Sequence, residues 1–342
     1  MIPKLTLRAA CAGAVLLMLA AAAQASSPYD AIYVFGDSGS DAGNDYILSG
    51  DISPGPPYYN GEFSNGNVWV DTLASNLGLP ALQPSLNGAG GTDYAYGGAL
   101  SGSIASGSIS YTATSSDVTG STGQIAQFEA SHATADANAL YVVWIGTNDI
   151  RKQIVNATST SQATALLLQT ATNIDSAISS LAAEGAKNFL VLTIPDLAKT
   201  PEAIALGTTF QAAGSALATQ LNGYLLDGNS GTGLQSLAQL ATADHATISV
   251  FDTFTFLDQV AESPGTYGFT DVTDPCYNGA TVCANPATYF FWDSIHPTAA
   301  GHALLGQSAT TALPSSVPLP AAAWLLISGL GGLGLIARRR NA

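Results

Sequence analysis

The chain of 342 residues carries 24 acidic and nine basic side chains, a formal net charge of −15, and 47% of its residues are hydrophobic. This length allows one large α/β domain with a substantial core. The excess of acid excludes partners that are held by positive charge, such as nucleic acid or an anionic membrane surface.

The first 25 residues have the pattern of a signal peptide. Lys4 and Arg8 precede an apolar run, and Ala23-Gln24-Ala25 supplies a small-x-small cleavage site. We therefore expect export to the periplasm, the cell surface or the medium, with a folded domain over residues 26–314.

The first folded element is predicted at residues 31–36, AIYVFG, a short apolar run typical of a strand buried on both faces. The block FGDSGSDAGN follows at residues 35–44 and places Ser38 in a turn before cap-forming residues. Ser38 is a candidate nucleophile. Taken alone, the block is equally compatible with a plain Gly-Asp-Ser turn.

Further along, irregular structure is expected over residues 84–123, except for the segment TDYAYGGAL. Strands and helices then alternate from residue 124 onward, which predicts a parallel sheet covered by helices on both faces. The last helix is expected to have Pro297 in its first turn. Ligands of open α/β sheets bind beyond the carboxyl ends of the strands.

Chemistry-bearing residues follow several of these predicted strands. Ser38 could be activated by His296, and Asp293 could reach the other ring nitrogen of that histidine from the same turn. Because His296 precedes a proline, its backbone is biased to an extended conformation outside the helix. Asn148, in GTND, offers an amide donor for an oxyanion. Each residue alone could equally be a turn former or a cap.

Four motifs together resemble the GDSL or SGNH hydrolases: FGDSGSDAGN, DYAYGGA, GTND and WDSIHPT, in that order. The resemblance implies a flavodoxin-like α/β fold with a five-stranded parallel sheet between helices. It is greatest to the lipase and acylhydrolase branch that includes plant GDSL lipases and bacterial thermolabile haemolysins, although Asp93 stands where that branch often has Asn.

The resemblance also implies roles for individual residues. Ser38 would be the nucleophile and, through its N–H, an oxyanion donor, with Asp293 and His296 as acid and base. Asn148 and the N–H of Gly98 would complete the oxyanion hole, with Gly97 as the second choice for the backbone donor. No metal or cofactor is required.

The expected activity is that of a serine esterase or lipase that hydrolyses carboxylic esters through an acyl-enzyme. The substrate would be a small-molecule, lipid or glycan ester. Two alternatives remain open: a polysaccharide O-acetyl esterase, and a surface-anchored binding protein without catalysis.

Cys276 and Cys283 are the two cysteines of the exported part, and an oxidising compartment favours a disulfide between them. Cys283 lies ten residues before Asp293. We therefore expect the disulfide to fix the segment that carries Asp293 and His296.

Residues 315–342 have the pattern of a sorting signal. Residues 319–337 contain no charge and are long enough to span a bilayer, and three arginines follow at residues 338–340. A buried core helix is the alternative. The run VPLPAAAWLL, residues 317–326, resembles the VPLPA variant of the PEP-CTERM signal, which implies an exosortase-type processing partner.

Overall fold

The computed structural model describes residues 27–88, 90–102 and 123–314, except for the side chains of residues 152–156. Within this part, Pro28–Pro314 form one compact unit. The predicted signal peptide, residues 1–25, and the predicted sorting tail, residues 315–342, lie outside the described residues. Over the described ranges, no helix has the length and apolar character needed to cross a membrane.

A parallel sheet forms the centre of the fold, as the sequence predicts. Its strands are paired in the order β1-β2-β3-β4. Their bounds are β1 Ile32–Gly36, β2 Leu140–Trp144, β3 Asn188–Leu192 and β4 Thr247–Phe251. Their apolar and β-branched side chains suit burial on both faces.

The expected fifth strand is not formed: in the described ranges the sheet has four. Residues 92–96 lie along the outer edge of β1, where the N–H of Tyr94 donates to the carbonyl of Val34 at 2.8 Å. Only one isolated bridge results, between Val34 and Asp93. The N–H of Tyr96 continues this contact by donating to the carbonyl of Gly36 at 3.2 Å. The Asn44 amide binds the carbonyls of Asp93 and Ala95, each at 2.9 Å, and these alternate residues face away from β1.

Helices cover both faces of the sheet. Their bounds are α1 Asn44–Leu48, α2 Trp69–Asn76, α3 Gln124–Ser131, α4 Thr147–Asn156, α5 Thr160–Glu184, α6 Pro201–Leu206, α7 Thr208–Asp227, α8 Leu237–Ala243, α9 Thr253–Glu262 and α10 Ala299–Thr310. Helices α3, α5, α7 and α8 pack in one core with Phe35, Val143 and Val191. Helices α2 and α10 pack in a second core with Val34 and Val142. Alternate strand residues thus face opposite layers, which is the arrangement of an α/β sandwich.

The final helix begins later than predicted, and Pro297 is not in its first turn. Helix α10 starts at Ala299, and the Thr298 hydroxyl caps it by accepting the N–H of Gly301 at 3.2 Å. Pro297 forms an isolated bridge with Phe291 instead. The carbonyl of His296 accepts the N–H of Trp292 at 2.7 Å, so His296 and Pro297 belong to a closed turn before the helix.

Candidate active site

Ser38 lies in a tight turn directly after β1. The carbonyl of Asp37 accepts the N–H groups of Ser40 and Asp41 at 2.9 and 3.1 Å, which closes the turn around Ser38. Gly36 is required at the end of the strand, because a Cβ there would lie 2.7 Å from the carbonyl oxygen of Trp144. The Ser38 side chain therefore stands at the carboxyl edge of the sheet.

His296 and Asp293 meet Ser38 from the turn before α10. The Nε2 of His296 is 2.7 Å from the Ser38 Oγ, and its Nδ1 is 2.7 Å from Asp293 Oδ2. Asp293 Oδ1 accepts the N–H groups of Ile295 and His296 at 2.9 and 2.8 Å. Together the three side chains have the geometry in which a histidine accepts the serine proton and a carboxylate orients the imidazole.

Burial and charge act in opposite directions on the carboxyl of Asp293. Only 14% of its side chain is exposed, and 16% of the His296 side chain. Burial alone would raise the pKa of Asp293, but the charge of His296 and the hydrogen bonds from His296 and Ile295 hold that pKa well below its usual range. Asp293 is therefore an anion throughout the neutral range and suited to orient the histidine.

Two backbone N–H groups, those of Ser38 and Gly98, are candidate donors to a ligand. Within the described part of the chain, the N–H groups of Ser38 and Gly98 donate to no protein acceptor. Gly98 has a φ of 69°, a backbone conformation that glycine adopts without strain. The N–H of Gly97, by contrast, donates to Asp41 Oδ2 at 2.9 Å. The geometry therefore favours Gly98 over Gly97 as a donor to an oxyanion.

Gly97 has a packing role instead. A Cβ there would lie 2.4 Å from the Phe63 ring, so only glycine fits at this position. Asp41 also accepts the N–H groups of Gly43 and Asn44 at 2.8 and 2.6 Å. Asp41 and Asn44 thus connect the Ser38 block to the segment that carries Gly98.

Asn148 stands in the first turn of α4 and is 7% exposed. Its Nδ2 donates to the carbonyl of Ala99 at 3.1 Å and contacts Asp37 Oδ2 at 3.4 Å. The second contact is long for a hydrogen bond, so this N–H can be given up to a substrate oxygen. Burial raises the pKa of Asp37 to about 6, against the lowering effects of the Gly39 N–H and of the charges on His296 and Arg151.

The described chain matches the family model GDSL-like Lipase/Acylhydrolase over residues 32–309. The chain belongs to this family. At the family level it is a hydrolase of the esterase and lipase type.

Curated proteins similar to this family member include two bacterial enzymes and a hemolysin. It is 25% identical over 262 residues to the phosphatidylcholine-sterol acyltransferase of Aeromonas hydrophila, and the match covers 76% of this chain and 69% of that protein. It is 26% identical to the thermolabile hemolysin of Vibrio parahaemolyticus, over 72% of this chain and 50% of that one. It is 31% identical to Lipase 1 of Photorhabdus luminescens over 51% of this chain, a match that spans only 23% of that lipase.

Among solved structures, the GDSL chain is similar to the acetylxylan esterase Axe2 of Geobacillus stearothermophilus. The TM-score is 0.43 and the sequence identity 14%, over 86% of this chain and 99% of that one.

Arg151, three positions after Asn148, contacts the site although no motif of the sequence indicates it. Its Nη1 donates to Asn148 Oδ1 at 3.3 Å, which directs the amide nitrogen of Asn148 toward Asp37. Two further donors of Arg151 bind the Glu202 carboxylate at 2.8 and 2.5 Å. The planar guanidinium is suited to this two-point contact, which fixes its orientation.

Tyr58 is a second residue that sequence reasoning missed. Its hydroxyl donates to Asp293 Oδ2 at 2.7 Å, although the two residues are 235 positions apart. A polar loop rich in Pro, Gly, Asn and Tyr carries this tyrosine, and the composition of such a loop gives no signal of what it contacts.

An apolar pocket opens beside Ser38 and His296. It holds about 670 Å³ of empty space, including its open mouth. Ser38, His296 and Asn148 stand on its rim. Its walls are mainly aromatic and aliphatic, and they include Trp144, Leu197, Phe256, Leu257, Phe290 and Phe291.

The disulfide predicted between Cys276 and Cys283 is present. The N–H of Cys276 donates to the carbonyl of Phe291 at 3.0 Å, and the N–H of Tyr277 donates to that of Trp292 at 2.6 Å. The disulfide loop is therefore paired with the two residues directly before Asp293.

Proposed function

We propose that this member of the GDSL family is a serine esterase or lipase that cleaves carboxylic esters through an acyl-enzyme. The observation that carries the proposal is the hydrogen-bonded chain from Ser38 Oγ to His296 and on to Asp293, with 2.7 Å at both links. This chain supplies a nucleophile, a base and an anion that stabilises the protonated base.

The first half-reaction forms the acyl-enzyme. His296 Nε2 takes the Ser38 proton as Oγ attacks the ester carbonyl carbon. The oxyanion of the tetrahedral intermediate then accepts the N–H groups of Ser38 and Gly98 and the Nδ2–H of Asn148. Collapse of the intermediate breaks the bond to the alcohol oxygen, which leaves with the proton from His296.

The second half-reaction releases the acid. His296 removes a proton from a water molecule, whose oxygen attacks the acyl carbon. The same donors hold the second oxyanion, and the proton on His296 returns to Ser38 Oγ as the carboxylic acid departs. Apart from the ester and this water molecule, neither half-reaction calls for a group outside the chain.

The apolar pocket favours an acyl chain over an acetyl group. Its walls offer few polar partners. Each Å² of apolar surface that an acyl chain buries there contributes about 25 cal/mol to binding. A polysaccharide O-acetyl esterase needs polar groups for the sugar hydroxyls, and a non-catalytic binder has no use for a hydrogen-bonded Ser-His-Asp set. Hydrolysis of esters with longer acyl chains is therefore better supported than glycan deacetylation or binding without catalysis.

Export and surface sorting belong to the same proposal. The signal peptide pattern of residues 1–25 and the PEP-CTERM-like tail of residues 315–342 support export and processing by an exosortase-type enzyme. Both rest on sequence pattern.

The test is a panel of p-nitrophenyl esters of rising acyl length, together with acetylated glycans, on the purified domain and on its Ser38→Ala variant. We expect hydrolysis of alkyl esters, labelling of Ser38 by a fluorophosphonate, and a loss of about a millionfold in kcat for Ser38→Ala. Ser75→Ala, at an exposed position of α2, is the control variant. Acetate release from glycans alone would favour the O-acetyl esterase, and absence of both labelling and turnover would favour the binder.

A further inference from the structure

The carboxylate of Asp293 receives one hydrogen bond from outside its own turn. Tyr58 donates its hydroxyl to Oδ2 at 2.7 Å, and this is the oxygen that faces His296 Nδ1. Oδ1 is held separately by the N–H groups of Ile295 and His296. We propose that Tyr58 is a positioning residue, whose hydroxyl fixes Asp293 Oδ2 in line with the imidazole and so sets the orientation of His296. This inference rests on the proposed hydrolytic function.

Aromatic neighbours hold the Tyr58 ring in place. It meets the rings of Tyr277, Trp292 and Phe63 edge-on, with centroid distances of 5.9, 6.2 and 6.4 Å. Such contacts restrict rotation of the ring, so the hydroxyl reaches Asp293 at little further cost in entropy.

The same loop also contacts the base. Phe63 packs against the imidazole of His296, with a centroid distance of 5.3 Å. Residues 58–63 thus touch both members of the Asp293–His296 pair, on the carboxylate oxygen and on the ring. A segment that contributes no reacting group is therefore in contact with both.

The hydroxyl of Tyr58 is suited to remain a donor at every pH at which the enzyme works. Burial raises its pKa, and the negative charge of Asp293 and the hydrogen bond to it raise it further. The other titratable groups that act on this cluster are Asp37, Tyr277 and His302. Burial lowers the pKa of His302 to about 3, so His302 stays neutral where His296 works as a base.

The critical variant is Tyr58→Phe, which removes the hydroxyl and keeps the ring. We expect kcat/KM to fall by about tenfold, the size of one lost hydrogen bond to a charged group. With one donor fewer, Oδ2 carries more negative charge and stabilises the protonated imidazole more strongly. The acid limb of the kcat/KM profile is therefore expected to move to higher pH, and the Nδ1 proton resonance of His296 to move downfield.

Tyr59→Phe is the matched control, because Tyr59 is the next residue and its side chain is 43% exposed. In an Asp293→Asn background, Tyr58→Phe should cost much less than in the wild type, because the two residues act through one contact. A Tyr58→Phe enzyme with the rate and pH profile of Tyr59→Phe would overturn the inference. So would a reduced rate with an unmoved acid limb and resonance, since that pattern indicates a packing role only.

The inference and the proposed function fail in different ways. If the wild type hydrolyses esters and Tyr58→Phe does so equally well, only the role of Tyr58 is lost. If the wild type neither hydrolyses esters nor reacts with a fluorophosphonate, the function itself is wrong, and an unmoved Nδ1 proton resonance in Tyr58→Phe would then exclude the positioning contact as well.

Discussion

The backbone N–H of Glu202 donates to the carbonyl of Ser294 at 2.9 Å, so the start of α6 is fixed to the turn that carries Asp293 and His296. Through its carboxylate, Glu202 also holds Arg151, which contacts the Asn148 amide. The proposed base and the proposed side-chain oxyanion donor are therefore positioned by one residue that takes no part in the chemistry.

Loss of the Asn148 amide should reduce turnover without a matching loss of binding. For Asn148→Ala we expect kcat to fall by about 10²–10³, as for other oxyanion donors, with KM nearly unchanged, because the oxyanion forms only in the transition state. Arg151→Met should lower kcat by about tenfold, since the amide is then free to turn. Steady-state kinetics on alkyl esters measure both.

The two substitutions should not be additive. If Arg151 acts through Asn148, then Arg151→Met has little further effect in the Asn148→Ala enzyme. Lys199→Met is the control, because Lys199 pairs with Asp258 at 3.4 Å instead of contacting Asn148. Independent, additive losses would show that Arg151 acts by another route.

The walls of the apolar pocket should set the preferred acyl length. Phe256→Ala removes an aromatic ring from the pocket and should raise the relative kcat/KM for longer esters, by roughly fourfold for each additional methylene buried. Leu206→Ala is a suitable control, because Leu206 is 55% exposed on α6 and does not line the pocket. An unchanged chain-length profile in Phe256→Ala would show that the acyl chain lies elsewhere.

The disulfide between Cys276 and Cys283 should support both stability and catalysis. It closes a loop of eight residues, so replacement of both cysteines by serine should cost about 2.5 kcal/mol of unfolding free energy. Because this loop is paired with Phe291 and Trp292, we also expect kcat to fall. Denaturant unfolding and kinetics of the double variant check this, and an unchanged midpoint with unchanged kcat would remove the assigned role.

Stability should decrease as pH rises from about 5 to about 8. Burial raises the pKa of Asp37 to about 6, of Asp45 to about 7 and of Glu62 to about 8. Each lies above its unfolded value, so the folded state binds more protons in this window and loses stability as they leave. Asp293 has the opposite sign: its pKa is lowered, and its contribution is lost only as pH falls below about 4.

Glu62→Gln isolates one part of this pH dependence. Glu62 is 6% exposed and accepts the N–H of Val68 at 2.6 Å, a bond that a glutamine oxygen can retain. We expect the thermal midpoint of the variant to fall less between pH 5 and pH 8 than that of the wild type. Equal slopes for the two proteins would show that Glu62 does not contribute.

Local motifs allowed the residues of the proposed catalytic set to be named from the sequence. Asp293 and His296 lie three residues apart in one turn, and Ser38 follows a strand that its apolar run identifies, so the topology of a parallel sheet was enough to bring them together. The alternation of strands and helices from residue 124 onward was likewise predicted from the local spacing of apolar residues.

The remaining features depend on long-range contacts without a periodic pattern. Tyr58 reaches Asp293 from an irregular loop, and Arg151 meets Glu202 across 51 positions. Asn44 likewise binds the carbonyls of Asp93 and Ala95, 49 and 51 positions away. Side-chain contacts with distant backbone groups cannot be recognised from composition alone.

The irregular segment beside β1 has a consequence for association between molecules. An open strand edge is a template for pairing with another chain. Here the carbonyl of Thr92 accepts the N–H of Val34 at 3.0 Å, and the N–H of Tyr94 donates to the Val34 carbonyl, so the middle of this edge is already occupied. A Cβ at Gly91 would lie 2.1 Å from the Pro84 carbonyl and would displace the segment. The strand that precedes Ser38 is thereby protected against edge-to-edge aggregation.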